Sequence, residues 1–103
     1  MDRIRVLREK WEFVKNLSRA ISGKIPNVEK LEYKAFQKEE WIQEFVIITF
    51  VGGAISPINV NGTSCGGILQ SVARHIFGGY YDCVEMYNDY ANNPEMMPII
   101  FVY

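Results

Sequence analysis

Charge is nearly missing from the middle of this chain. Between Glu44 and Asp82 the single charged residue is Arg74, and seven of the eight glycines fall in the same stretch. No apolar run reaches the ~18 residues that a membrane span requires. There is one histidine, His75, and two cysteines, Cys65 and Cys83. So few sulfur and imidazole groups cannot build a disulfide framework or a closed zinc site. The last 24 residues contain no lysine or arginine. No secretory leader pattern opens the chain, whose N-terminus is charged and amphipathic, so a cytoplasmic setting with reduced thiols is expected.

What is present is an ordinary globular composition. The chain has 103 residues, 49% hydrophobic and 22% charged, with a net charge of -1. That length predicts one domain over residues 1–103 with a modest core. The charges segregate to the two ends. Residues 1–25 hold seven bases against three acids, and residues 80–103 hold four acids and no base.

Periodicity divides the chain into elements. Ile4, Leu7, Trp11, Val14, Leu17 and Ile21 recur at three and four, which predicts a helix capped by Asp2 and ending near Ser22. Gly23 and Pro26 stop it. Leu31, Tyr33 and Ala35 alternate with Glu32 and Lys34 as in a half-buried strand. A polar turn at 38–40 leads to a second strand, Trp41 to Val51. Its residues are apolar on both alternating faces, so it needs cover on both sides. Gly52-Gly53 predicts a tight hairpin. The third strand, 54–60, contains Pro57, which belongs at a sheet edge or a bulge. Thr63 or Ser64 caps a second helix to Phe77, closed by Gly78-Gly79. Residues 80–92 read as a third helix, and 98–103 as a short last strand or a packed tail.

The order α-β-β-β-α-(α)-β predicts an α+β fold. It has two layers: an antiparallel sheet of three to four strands with helices on one face. Phe45, Ile47 and Val51 then point to the bare second face. Either a homodimer or partner, or the tail together with residues 80–92, must cover them.

Candidate chemistry is sparse. The helix entry Asn61-Gly62-Thr63-Ser64-Cys65-Gly66-Gly67 resembles an anion cradle but lacks the lysine of a phosphate loop. Cys65 sits in that first turn, where a thiol pKa can fall, so a small thiol enzyme is one reading. His75 stands ten residues along the same helix, beside Arg74. It reads as a surface residue too far away to serve as the base. No catalytic set, metal site or cofactor is expected. In the acidic end, Asp82, Glu85 and Asp89 share one helical face, with Tyr81, Tyr87 and Tyr90 nearby. These six residues form the expected partner-binding surface. In the basic end, Arg5, Arg8, Lys15 and Arg19 lie off the apolar stripe and could contact RNA or DNA phosphates.

The helix, three strands and second helix over residues 3–77 resemble the double-stranded-RNA-binding domain. There the second helix opens with phosphate-gripping lysines; here Thr63 to Gly67 stand in their place. In scale and element order the chain also looks similar to small mobile-element proteins, including anti-CRISPR inhibitors. That resemblance implies a non-enzymatic phage or mobile-element inhibitor or regulator. It would bind a basic surface of a nucleic-acid-processing host protein, rather than nucleic acid itself or a membrane.

Overall fold

The computed structural model describes residues 3–77 and 84–101. Helix α1 spans Arg3–Ile21, followed by strands β1 (Val28–Lys38), β2 (Trp41–Phe50) and β3 (Ile55–Asn59). Helices α2 (Cys65–Phe77) and α3 (Val84–Asn92) come next, and β4 (Met97–Pro98) closes the order. The α+β class and the element order are those the sequence predicts. The sheet is antiparallel throughout, in the order β3-β2-β1-β4. The cap assigned to Asp2 and the stop assigned to Gly78-Gly79 lie outside the described residues.

Local chemistry sets the element ends. Gly23 has a φ of 74°, the left-handed conformation that closes α1 at no steric cost. Gly52 and Gly53 have φ of 102° and 96° and turn β2 into β3. Pro57, which cannot donate to a ladder, lies on β3, an edge strand, opposite Ile47. Ser64 caps α2: its Oγ accepts the Gly67 N–H at 3.2 Å.

Alternation along β2 sorts the core. Val46 and Ile48 face α1 and α2, where they join Leu7, Val14, Leu31, Ile58, Ile68 and Val72. Phe45 and Ile47 face the other way and pack with Phe36 and Met96. Each such buried side chain contributes about 1.5–3 kcal/mol. As expected, α1 and α2 share one face. The second face is covered by α3, whose Tyr87 and Tyr90 rest on it, and by Met96. The expected cover from residues 80–92 is found in α3, but the tail expected beside it packs on the first face, through Ile99 and Phe101. Val51, assigned to that face, is exposed at the hairpin instead.

The tail turns back toward the first face. The Ile99 N–H donates to the Ala35 carbonyl at 2.9 Å. Phe101 stacks on Trp11 of α1, with centroids 5.6 Å apart and planes at 20°. No helix among the described residues is long and apolar enough to cross a membrane.

Candidate functional site

Helix α3 presents two chemistries on two sides. Tyr87 meets Phe45 edge-on at 5.3 Å and Phe36 at 6.1 Å. Tyr90 packs on Phe45 at 5.9 Å and on Trp41 at 6.0 Å. Edge-to-face aromatic pairs at these separations favour a fixed orientation. Glu85 and Asp89 stand two residues either side of Tyr87, about half a turn around the helix, so both point outward and are exposed. Neither carboxylate is in an ion pair within 4 Å among the described residues. The predicted partner surface is thus divided. Glu85 and Asp89 are available to solvent, Tyr87 and Tyr90 anchor the helix, and Tyr81 and Asp82 lie outside the described residues. The fourth acid of this end, Glu95, pairs with Lys38 across the β1–β4 corner. That contact pulls the Glu95 carboxyl below, and the Lys38 ammonium above, their ordinary ranges.

The basic helix is internally matched. Arg5 faces Glu9 and Arg8 faces Glu12, each at 3.8 Å and i, i+4 spacing. Lys15 places its ammonium 4.9 Å from the Trp11 ring centroid. Burial and then the neighbouring Arg19 pull that ammonium below the ordinary lysine range. Arg19 itself is exposed in the last turn.

A buried polar network lies between α1 and the sheet, and the sequence reading does not contain it. The Lys10 ammonium donates to Glu44 Oε1 at 2.8 Å, and the Tyr33 hydroxyl donates to the same oxygen at 2.6 Å. The Gly62 N–H donates to Glu44 Oε2 at 3.0 Å. The Glu44 N–H donates in turn to Asn61 Oδ1 at 2.6 Å. Side-chain exposure is only 8% at Lys10 and 6% at Glu44. A charge pair so far from water persists only when its remaining lone pairs are also used, as they are here. Burial and then the Glu44 hydrogen bond push the Tyr33 phenol far above the ordinary tyrosine range. The signals for this network were legible: Lys10 falls on the apolar stripe between Leu7 and Val14, and Glu44 is in phase with Val46 and Ile48.

The network also bears on the glycine turn. Gly62 gives its N–H to the chain's own Glu44, and Gly67 gives its N–H to Ser64. Two donors of the supposed anion cradle are therefore used internally. A Cβ at Gly67 would stand 2.5 Å from Thr63 Cγ2, so any side chain there would displace Thr63.

Cys65 is a free, partly exposed thiol. His75 is buried rather than on the surface, and its Nε2 hydrogen-bonds the equally buried Ser56 hydroxyl on β3. The physical reason is helical phase: His75 lies three and seven residues after Val72 and Ile68, both in the core. No group of three or more metal-ligating side chains occurs among the described residues.

Comparison with known proteins adds no relative: no family model, no curated protein and no solved structure matches this chain.

Proposed function

We propose that this chain is a non-enzymatic, cytoplasmic protein-binding domain that docks the acidic face of α3 on a basic surface of a nucleic-acid-processing protein. The observation that carries this reading is the division of α3. Its tyrosines fix the helix to the sheet, so Glu85 and Asp89 are held outward, with no ion pair within 4 Å among the described residues. Carboxylates one helical turn apart can stand where phosphates would bind, and they speed association at low salt. An inhibitor or regulator carried by a phage or mobile element would use such a face to compete with nucleic acid. Binding of duplex RNA or DNA by α1 has less support, since Arg5 and Arg8 already face Glu9 and Glu12. Thiol catalysis at Cys65 has less still, because the chain's one histidine is bonded to Ser56.

The test is capture from host extract, treated with nuclease, using the native chain and the variant Asp82→Ala, Glu85→Ala, Asp89→Ala. The expected result is a specific protein retained by the native chain, lost with the variant, and displaced by added duplex nucleic acid. Equal capture by both chains would overturn the reading. A gel shift on duplex RNA or DNA that steepens at low salt would favour the α1 alternative.

A further inference from the structure

The chain has seven asparagines, and only Asn61 precedes a glycine. Glycine has no side chain to shield its backbone nitrogen from the preceding asparagine. That nitrogen can close on the asparagine side chain and expel ammonia, a reaction that needs no enzyme. Asn61 and Gly62 are both exposed, so water and hydroxide reach them.

The fold holds every reacting group. The Gly62 N–H donates to Glu44 Oε2 at 3.0 Å. Asn61 Oδ1 accepts the Glu44 N–H at 2.6 Å, and Asn61 Nδ2 donates to Gln43 Oε1 at 2.9 Å. The first bond keeps the proton on the nitrogen that must lose it, since an amide anion is disfavoured beside a carboxylate. The other two pin the side-chain amide, which must turn its carbon toward that nitrogen. Lys10 and Tyr33 hold the carboxylate itself in place.

The direction of these bonds is fixed. A backbone N–H can only donate, so the Asn61 oxygen faces Glu44 and its nitrogen faces Gln43. The Gln43 oxygen therefore accepts, and Gln43 Nε2 is buried with no hydrogen-bond partner among the described residues.

We propose that Asn61-Gly62 is a self-modification site, converted to aspartate and isoaspartate at a rate set by opening of the Glu44 turn. When the turn opens, the Gly62 nitrogen gives up its proton and bonds to Asn61 Cγ. The Cγ–Nδ2 bond breaks, and ammonia leaves with that proton. Water then opens the five-membered imide at either carbonyl; nothing is oxidised or reduced. The aspartate product can refit, because rotation of the Gln43 amide turns its unpartnered Nε2 onto the new carboxylate. The isoaspartate product lengthens the main chain by a carbon atom and carries the Gly62 N–H away from Glu44. Opening of the turn thus exposes the network between α1 and the sheet to a one-way change. This inference does not depend on the α3 face.

The test incubates the full chain, folded and in urea, and counts aspartate and isoaspartate at position 61 by peptide mapping. The folded chain is expected to convert at Asn61 and not at Asn59, where the branched side chain of Val60 shields the nitrogen. Three restraining bonds, each worth about fivefold, slow it about a hundredfold relative to the unfolded chain. Gln43→Leu removes one bond and speeds conversion about fivefold, with thermal melts confirming the fold. Should that variant not fold, the native chain in sub-denaturing urea decides: its conversion rate follows hydrogen exchange at the Gly62 amide. Absence of conversion in the folded chain removes the site. A folded rate equal to the unfolded rate removes its control by the turn. So does a rate independent of Gly62 exchange, or one that a folded Gln43→Leu chain leaves unchanged.

Discussion

The two faces of the sheet are held by different physics. On the first, α1 and α2 bury Leu7, Val14, Ile68 and Val72 against aliphatic strand residues, and the Lys10–Glu44 pair lies beneath them. On the second, α3 has no fully buried residue and rests on Phe36 and Phe45 through the rings of Tyr87 and Tyr90. The first face makes the fold. The second holds α3 through aromatic contacts and leaves its outer side exposed. Elements with few buried apolar contacts open at lower free energy than the core, so α3 should exchange its amides faster than α2.

The largest test of this contrast is at the first face. Lys10→Met leaves the Glu44 carboxylate buried without its cation, and a loss of about 3–5 kcal/mol is expected in urea unfolding. A loss below about 1 kcal/mol would mean that water reaches the pair. Next comes Tyr87→Ala, expected to cost about 1–3 kcal/mol through lost ring contacts. It should abolish amide protection in α3 while leaving α2 protected. Equal loss in both helices would show that the two faces unfold as one unit.

Tyr33→Phe is third, at about 1–3 kcal/mol near neutral pH, because it removes a charged hydrogen bond. It also alters the alkaline limb. An unfolded tyrosine ionises near pH 10, whereas the folded Tyr33 phenol keeps its proton well above that. The unfolded chain then binds fewer protons, so stability is intact below about pH 10 and falls as pH rises, by about 1.4 kcal/mol per unit. The phenylalanine variant should lack that slope. Smallest is Glu95→Gln, which removes the exposed pair with Lys38. Its contribution is present above the ordinary carboxylate range and is lost as pH falls through that range, since the folded carboxyl is depressed. Thermal melts at neutral pH should differ only slightly.

Much of the architecture was readable from residue spacing. The apolar stripe of α1, the Gly52-Gly53 turn, the edge placement of Pro57 and the Ser64 cap all follow from local rules, and local rules act within a few residues. The polar partnerships were not readable in the same way. Lys10 meets Glu44 across 34 positions of sequence, and Ser56 meets His75 across 19. Periodicity marks a position as facing inward but does not say which distant group awaits it there. His75 shows the cost: its phase with Ile68 and Val72 is inward, yet its polarity suggests solvent. The acidic face was readable in part. Spacing grouped Glu85 with Asp89, but which side of α3 would carry Tyr87 and Tyr90 depended on Phe45, an apolar residue whose cover the sequence left open.

The Lys10–Glu44 contact also constrains how this sequence can drift. A slip of β2 by one residue would carry the carboxylate across the sheet to the side of Phe36 and Tyr87, far from the ammonium, so the pair penalises mispaired strands. Replacing either member alone strands a charge in an oily interior, while exchanging both for apolar groups is tolerable. Descendants of this chain should therefore keep both residues or abandon them together, and a lineage holding only one would have found another counter-charge.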